Sequence, residues 1–456
     1  MTARIAIIGA GPAGLSAARV LVDAGLRPTL IDDAMRPGGQ AFRAARTGGV
    51  ELASQPWRND RQGEQKFNAL VTAILPKLDY RPQTMVWSVG TDYLNLLSSA
   101  QSVCLPVRDV ILATGATDRI IPFPGWTTPG VFSLGAAQIA LKAQSTLIGQ
   151  RVAFVGTGPL LYLVAYQYMR AGAQVVAVLD SNKPRLRARS LAALLPAAAT
   201  FIEGLKFVTA LRARNIPCLT GAEPIAIVAD HGELKGLRYR HQGIDRSIDC
   251  DAIGTGYGLK AETQVADLLG LPFRFSRQHR QWLPERQPDA ESALIRIYHA
   301  GDGSNIGGKE LAALDGELAA LELLAQRGHR VTRKVAAVRK KINRVSRFRQ
   351  VLDEELFPFP AGLCGNVADE TIVCRCERIS AGEVRATVSQ SDESDINRVK
   401  AFCRLGMGRC QGRLCERPAA EIIAAHNGCD ISVVGRLRAQ SPVKPVALSV
   451  LAKARP

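Results

Sequence analysis

Four cysteines near the C-terminus have the spacing of metal ligands. Cys374 and Cys376 form a CxC pair, and Cys410 and Cys415 form a CxxxxC pair within AFCRLGMGRCQGRLCERPAAEII. Cysteine thiolates hold iron–sulfur clusters, and four of them suffice for a 2Fe-2S centre. Four thiolates also suit a tetrahedral structural zinc ion. These residues therefore predict a metal centre, either a 2Fe-2S cluster or zinc.

A glycine-rich loop near the N-terminus has the chemistry of a nucleotide phosphate site. The apolar run Ile5–Ile8 predicts a buried parallel strand, and Gly9, Gly11 and Gly14 follow it at the spacing GxGxxG. The helix after the loop would point its unpaired N–H groups and partial positive charge at a pyrophosphate. A second predicted strand ends in Asp32, which is placed to bind adenosine ribose hydroxyls. The residues predicted to bind the cofactor here are Gly9, Gly11, Pro12, Ala13, Gly14, Asp32 and Asp33.

The same order of strand, glycine loop, helix, strand and acid returns at Arg151–Asp180. Gly156, Gly158 and Asp180 are candidate nucleotide-binding residues, but Leu161 stands where the third glycine would let helix and strand approach closely. Three alternatives therefore stay open for this second unit: a working NAD(P) site, a nucleotide bound in an altered pose, or a purely structural role. The basic residues after the acid could meet a phosphate or the solvent: Lys183, Arg185 and Arg187.

The strand Asp109–Gly115, DVILATG, following a GxGxxG unit, resembles the flavoprotein family with two dinucleotide-binding domains. In that family this turn lies near the flavin. The later stretch 297–313, IYHAGDGSNIGGKELAA, resembles the family's second flavin motif, in which the acid holds the ribityl chain; a helix cap is the alternative role for Asp302. With the glycine turn after Pro37, the residues implied to contact the flavin are Gly39, Gln40, Ala113, Thr114, Gly115, Gly301 and Asp302.

The cysteine-rich segment closely resembles the bacterioferritin-associated-ferredoxin-like (BFD-like) 2Fe-2S domain, in the version that carries GMGxCQGxxC. The resemblance implies that the cluster ligands are Cys374, Cys376, Cys410 and Cys415. Cys364, Cys403 and Cys429 are then bystanders. A cluster is favoured over zinc because a flavin and a cluster in one chain make an electron path, whereas zinc makes none.

Over nearly its full length the chain resembles the alpha, flavin-bearing subunit of heteromeric amine dehydrogenases, a family that includes octopine and nopaline oxidases, D-hydroxyproline and L-proline dehydrogenases, and hydrogen cyanide synthase. The resemblance implies an α/β fold with two Rossmann-like domains of the flavoprotein disulfide-reductase type and a small helical BFD-like domain. The predicted units are residues 1–118 with 252–326 for FAD, 119–251 for an inserted NAD(P)-binding-like domain, 327–368 for a basic helical linker, 369–430 for the 2Fe-2S domain and 431–456 for a C-terminal tail.

The same resemblance implies an FAD- and 2Fe-2S-containing oxidoreductase subunit. It would pass electrons from a catalytic beta subunit of the D-amino-acid-oxidase type to an acceptor other than oxygen. The substrate would be a secondary amine or amino acid of the opine, D-hydroxyproline, proline or glycine class. Relatives also use a small ferredoxin-like gamma subunit, FMN at a subunit junction, or ATP in place of FAD.

No residue of this chain is predicted to be catalytic. The six histidines lie outside any motif: His231, His241, His279, His299, His329 and His426. Two other functions stay open, a self-contained NAD(P)H-dependent reductase that uses the second glycine loop, and a non-catalytic electron-transfer scaffold that binds a nucleotide for structural reasons.

The chain of 456 residues carries a net charge of +17, part of it in the helix-like stretch Arg327–Arg349. We expect a solvated face or an interface to an acidic partner, and peripheral contact with anionic lipid is the next alternative. Nucleic acid is disfavoured because no aromatic residues are interleaved for base stacking. The sequence shows no apolar run of about 18 residues and no basic and apolar leader, so we expect a cytoplasmic protein. We also expect that the ten cysteines do not form a disulfide framework.

Overall fold

The computed structural model describes residues 4–43, 57, 60–98, 101–187, 190, 194, 198–286, 291–292 and 295–451. Residues 1–3 of the first predicted unit and 452–456 of the predicted tail lie outside these ranges. The described strands are β1 Ile5–Ile8, β2 Thr29–Ile31, β3 Asp79–Arg81, β4 Met85–Val89, β5 Tyr93–Leu97, β6 Ser102–Pro106, β7 Asp109–Leu112, β8 Ala116–Asp118, β9 Val131–Ser133, β10 Arg151–Thr157, β11 Gln174–Asp180, β12 Cys218–Thr220, β13 Ala222–Asp230, β14 Glu233–His241, β15 Ile244–Asp249, β16 Ala252–Tyr257, β17 Leu259–Ala261, β18 Phe273–Ser276, β19 Gln281–Pro284, β20 Glu291–Ser292, β21 Ile295–His299, β22 Ile372–Cys374 and β23 Ile379–Ser380.

The described α-helices are α1 Pro12–Asp23, α2 Arg61–Ile74, α3 Leu134–Gln144, α4 Pro159–Arg170, α5 Ala198–Ala213, α6 Gln264–Leu268, α7 Lys309–Gln326, α8 Thr332–Val351, α9 Ala361–Gly365, α10 Ala381–Ser391, α11 Ile396–Cys403, α12 Glu416–Asn427, α13 Ile431–Val434 and α14 Leu448–Leu451. Short 3₁₀ turns cover Leu75–Lys77 and Gly301–Gly303, and one π-helical turn covers Leu352–Leu356. None of the helices in the described ranges is both long and apolar enough to cross a membrane.

The first sheet has the strand order β20–β21–β7–β1–β2–β3. Strand β1 lies between β7 and β2 and pairs with both in parallel. All four residues of β1 are buried, as expected for a central parallel strand that is covered on both faces. Helices α1 and α7 pack on one face of this sheet, with Leu15, Leu21 and Leu323 in the shared core.

Helix α2 is shorter than the amphipathic pattern predicts. The apolar spacing indicates a helix over Arg61–Leu78, but α2 ends at Ile74 and a 3₁₀ turn follows. Pro76 explains the difference, because proline lacks the N–H that the helix interior needs and clashes with the preceding turn. Phe67 and Ile74 are the buried residues of this helix.

The second sheet has the order β12–β11–β10–β16–β9, and its pairings are parallel. Its last central strand, Ala252–Tyr257, pairs residue by residue with Val152–Thr157 of β10. This strand therefore lies in the second sheet, although the predicted boundary at residue 251 places it in the first unit. The second sheet is parallel throughout and the first is parallel except for its edge strand β20, and this arrangement confirms the predicted α/β fold class.

The basic stretch begins with a turn at Gly328 and continues as α8, which packs on α7. Val338, Phe348 and Val351 are the buried residues of α8, and Arg339 pairs with Glu322 at 3.1 Å. Helices α10 to α13 then form a small module with its own core, which includes Val384, Val399, Ile422 and Ile423. The chain after this module returns to the first unit.

Candidate functional site

The first glycine loop joins β1 to α1 at the carboxyl edge of the first sheet. Helix α1 has Gly11 at its N-cap, Pro12 in its first turn, and no side chain that caps its first amides. Such amides are the groups that bind phosphate at a helix N-terminus. A Cβ on Gly14 would collide with the carbonyl oxygen of Gly9, so only glycine lets α1 lie this close to the loop. The site thus fits a nucleotide phosphate.

The segments predicted to contact the flavin converge on this loop. A Cβ on Gly39 would lie 3.0 Å from the Cα of Gly11, and one on Gly301 would lie 2.9 Å from the Cβ of Ala13. The carbonyl of Ala113 likewise lies against Gly9. Three stretches far apart in the sequence therefore meet around the first glycine loop, as expected for one cofactor site.

The two acids predicted to hold this cofactor, Asp32 and Asp302, also accept hydrogen bonds from nearby backbone amides. The Asp32 carboxylate is buried and accepts hydrogen bonds from the amides of Ala10 at 2.5 Å and Ala34 at 2.7 Å. The Asp302 carboxylate accepts from the amides of Gly307 at 2.9 Å and Gly308 at 3.1 Å, just before α7. Burial raises the pKa of both groups. Asp302 therefore binds the backbone turn just before α7 and does not cap the first amides of that helix, and its contact with the ribityl chain stays a prediction.

Two further residues predicted at this site have partners of their own. The Asp33 carboxylate pairs with Lys444 at 2.6 Å, which brings the C-terminal segment to the end of β2. The Gln40 side chain accepts a hydrogen bond from Arg43 at 3.2 Å. The tail contact at Asp33 was not predicted, because nothing in the spacing of either segment indicates it.

The second glycine loop is built differently. Leu161, at the third glycine position, is fully buried in the core of the second unit. Asp180 is also buried, and burial raises its pKa to about 6. Its carboxylate accepts hydrogen bonds from Tyr162 Oη at 2.9 Å and from the Asn182 amide at 2.9 Å. Neighbouring side chains thus surround Asp180, while Gly156 and Gly158 form the turn into α4.

The four predicted cluster cysteines are neighbours in space. The Cys415 thiol hydrogen-bonds to Cys374 and Cys410, and Cys376 hydrogen-bonds to Cys410. The bond from Cys415 lowers the pKa of Cys374 to about 6 and the pKa of Cys410 to about 5. Sharing its proton raises the pKa of Cys415. Within the described ranges, no three His, Cys, Asp or Glu side chains surround a single metal-ion position.

Backbone amides point at these sulfur atoms, which is the environment that stabilises thiolates. The amides of Gly406 and Glu377 hydrogen-bond to Cys374, and those of Gly412 and Leu414 to Cys410. A set of four neighbouring thiols with amide donors fits a 2Fe-2S cluster. Cys374 and Cys415 are buried, whereas Cys376 is exposed.

A polar bridge that the sequence did not reveal joins the two predicted cofactor sites. The Thr114 hydroxyl donates to the Glu262 carbonyl at 2.7 Å, and the Glu262 amide donates to the Gly115 carbonyl at 2.9 Å. The Glu262 carboxylate accepts from Arg413 Nε at 2.7 Å. Arg413 lies in the cluster loop and also donates to the Cys410 carbonyl at 3.3 Å.

Comparisons with known proteins identify a family for each part of the chain. Residues 3–313 match the pyridine nucleotide-disulphide oxidoreductase family. The chain belongs to this family. Residues 372–425 match the BFD-like [2Fe-2S] binding domain, which favours the cluster over zinc. The chain is therefore a flavin- and 2Fe-2S-containing oxidoreductase.

Relatives that align over almost the whole chain show which members of the family this protein resembles. An opine oxidase subunit of Rhizobium meliloti is 32% identical over 98% of this chain and 87% of the relative. The hydrogen cyanide synthase subunit HcnB of Pseudomonas aeruginosa is 30% identical over 98% of both chains. L-proline dehydrogenase from P. horikoshii has the same fold, with a TM-score of 0.74 and 19% identity over 98% of this chain and 79% of that chain. The predicted resemblance to these enzyme subunits is confirmed.

Proposed function

We propose that this chain is the alpha subunit of a heteromeric dehydrogenase that oxidises a secondary amine or amino acid at its CH–NH bond. The substrate would be of the opine, D-hydroxyproline, proline or glycine class, bound by a beta subunit of the D-amino-acid-oxidase type. Similarity over 98% of the chain to proteins named as subunits of opine oxidase and hydrogen cyanide synthase supports this function. A ferredoxin-like gamma subunit and FMN at a subunit junction belong to the same proposal.

The observation that carries the proposal is the bridge from Thr114 through Glu262 to Arg413. One end lies in the turn proposed to contact the flavin, and the other lies in the loop of the proposed cluster ligand Cys410. A second hydrogen bond, from the Gln264 side chain to the Gln411 carbonyl at 2.9 Å, runs beside it. Such a bridge would hold the two proposed redox sites in fixed positions relative to each other, as an electron-transferring subunit requires.

When bound, the flavin exchanges two electrons and the cluster exchanges one at a time. The residues of this chain supply binding and electrostatics. We propose that Gly11 and the first amides of α1 bind the flavin phosphates, and that Cys374, Cys376, Cys410 and Cys415 hold the cluster. The exposed position of Cys376 leaves one edge of the cluster site open to a partner, while the Arg413 edge faces the first unit.

Anaerobic titration tests the function. The chain is co-expressed with a D-amino-acid-oxidase-type partner and mixed with an opine or an imino acid. We expect the flavin absorbance to bleach only when the partner is present. Bleaching of this chain alone by NADH would support a self-contained reductase, and no bleaching under any of these conditions would support a scaffold.

The bridge itself is tested with a matched pair of variants. Glu262→Gln removes the charge that faces Arg413, so we expect slower electron exchange between flavin and cluster in stopped-flow measurements. Glu393→Gln is the control, because Glu393 pairs with Arg398 at 3.2 Å inside the C-terminal module. Equal rates in the two variants would contradict a role for the bridge.

The location of the complex also stays a proposal. We propose a cytoplasmic complex that contacts an acidic partner or the inner face of the membrane through α8. Several cationic side chains of α8 are exposed, among them Arg333, Lys334, Lys340 and Lys341.

A further inference from the structure

In a doubly wound sheet, a dinucleotide crosses the carboxyl ends of the central strands. Its phosphates lie at the glycine loop, and one ribose lies at the acid that ends the second strand. In this chain the segment Glu355–Leu363, between α8 and the C-terminal module, crosses that edge of the second sheet. We infer that this segment closes the nucleotide cleft and excludes NADH and NADPH from the second unit.

The ribose position is already taken by a side chain. Asp180, the acid that ends β11, accepts a hydrogen bond from Tyr162 Oη at 2.9 Å and another from the Asn182 amide at 2.9 Å. Asp180 is only 1% exposed and Tyr162 8% exposed. The tyrosine hydroxyl therefore gives the carboxylate the contact that a ribose hydroxyl would give, from within the protein.

Residues Phe357 and Pro358 cover the place where the phosphates of a dinucleotide would lie. The Asn182 side chain donates to Thr157 Oγ1 at 2.8 Å, inside the glycine loop, and also to the Pro358 carbonyl. The Phe357 ring lies 6.2 Å from the ring of Tyr162, in the first turns of α4. Pro358 and Phe357 therefore lie against the loop and helix end that would bind a pyrophosphate.

An acid of the chain occupies the phosphate-binding region beyond Asp180. The Glu355 carboxylate accepts hydrogen bonds from the Arg187 amide at 2.9 Å and from Ser190 Oγ at 2.6 Å. The Glu355 carbonyl accepts from the Arg185 amide at 3.0 Å. Glu355 therefore holds the backbone of the stretch that carries Arg185 and Arg187, whose side chains are exposed.

The far end of the cleft is filled with apolar side chains. Phe359 and Leu363 pack against Ile121 and Tyr257, the last residue of β16. The Arg119 guanidinium lies over the Phe359 ring at 3.5 Å. The segment Glu355–Leu363 thus follows the course of a bound dinucleotide, from the ribose position at the end of β11 to the end of β16.

Dinucleotide binding by the wild-type protein is the first test. The complete holoprotein is titrated with NADH alone and with NADPH alone by calorimetry. Because the cleft is filled, we expect no saturable binding up to about 1 mM. Saturable binding below that concentration would overturn the closure.

Amide exchange measured by mass spectrometry tests what holds the segment. Glu355→Ala removes the acceptor of two hydrogen bonds, so we expect exchange in peptides covering 352–363 and 185–190 to accelerate at least about tenfold. Glu354→Ala is the matched control, because Glu354 is exposed and accepts a hydrogen bond from Gln350, four residues earlier at the end of α8. Unchanged exchange in Glu355→Ala would overturn the closure. If Glu355→Ala does not fold, the same exchange measurement is made on the wild-type protein with and without NADPH. Faster exchange of residues 352–363 in the presence of NADPH would overturn the closure, and unchanged exchange would support it.

Discussion

Asp32 and Asp180 end equivalent strands of the two glycine-loop units, yet their carboxylates have different surroundings. Asp32 accepts hydrogen bonds from two backbone amides, whereas Asp180 accepts one from the backbone amide of Asn182 and one from the phenol of Tyr162. At the level of single residues, the same acid in the same motif therefore has only backbone donors in the first unit and a side-chain donor as well in the second.

The raised pKa of Asp180 predicts a pH-dependent effect of Asp180→Asn. Its pKa in the folded protein is about 6, above 3.8, so its stabilising contribution is present below pH 3.8 and is lost as the pH rises through 6. Asparagine does not ionise. We therefore expect the free energy of unfolding of the variant, relative to wild type, to rise between pH 4.5 and pH 7.5 by on the order of 2 kcal/mol. Urea unfolding at both pH values measures this difference.

The pH dependence is the readout here, because asparagine also loses one hydrogen-bond acceptor at every pH. Asp249→Asn is the control, since Asp249 is exposed. A difference between Asp180→Asn and wild type that stays constant with pH would contradict the buried titration.

The second prediction at the level of single residues concerns the proposed cluster ligands. Cys410→Ser removes one of the four proposed ligands, so we expect the visible absorbance and the iron content of the cluster to be lost while the flavin stays bound. Cys403→Ser should leave both cofactors in place, because the Cys403 thiol bonds to the Val399 carbonyl in its own helix. Cluster absorbance retained in Cys410→Ser would exclude this ligand.

For whole helices and strands, the close approach of α1 to the first glycine loop is the feature that a side chain would disturb most. Gly14→Ala places a Cβ against the Gly9 carbonyl, which is backbone and cannot move aside as the end of a flexible side chain could. We expect a loss of stability of about 1–3 kcal/mol and a lower flavin content, because α1 must move away from the loop. Thermal unfolding and the ratio of flavin to protein absorbance measure the two effects.

Gly204→Ala in α5 is the matched control for this substitution. A Cβ on Gly204 would have no atom within 4 Å. Alanine is also the better helix former, by about 1 kcal/mol, so we expect equal or higher stability and an unchanged flavin content. A similar loss in both variants would contradict the close-approach explanation.

Across the whole molecule, buried charges join the C-terminal module to the rest. Glu421 in α12 accepts from Arg280 Nε at 3.0 Å and Nη2 at 2.7 Å, and lies 3.9 Å from Arg119 Nη2. Burial lowers the pKa of Arg119 to about 9. These contacts hold the module to the turn between β18 and β19 and to the segment that follows β8.

Glu421→Gln should loosen this contact strongly. It leaves a buried guanidinium without its counter-charge, and such a loss costs about 3 kcal/mol. Thermal unfolding should show a lower midpoint for Glu421→Gln, and Glu393→Gln, which breaks a surface pair, should change little. Equal midpoints for the two variants would mean that the buried pair does not hold the module.

Much of the architecture was predictable from local spacing. A strand followed by a glycine loop and a helix is one continuous segment, so the two dinucleotide-type units and the 2Fe-2S module could be identified in order. The boundary at residue 251 was less accurate, because the partner of Ala252–Tyr257 is β10, which lies about a hundred residues earlier. The flavin and cluster contacts of individual residues stay predictions.

By itself the sequence determined the fold class, the family and the order of the units, because these depend on motifs whose residues are close in the chain. Only the tertiary structure decided that Glu262 meets Arg413 and that Glu355–Leu363 lies across the second nucleotide cleft. Each of these contacts joins segments that are distant in sequence. Spacing along a chain does not encode which distant surfaces meet, since that is set by how the sheets and helices pack.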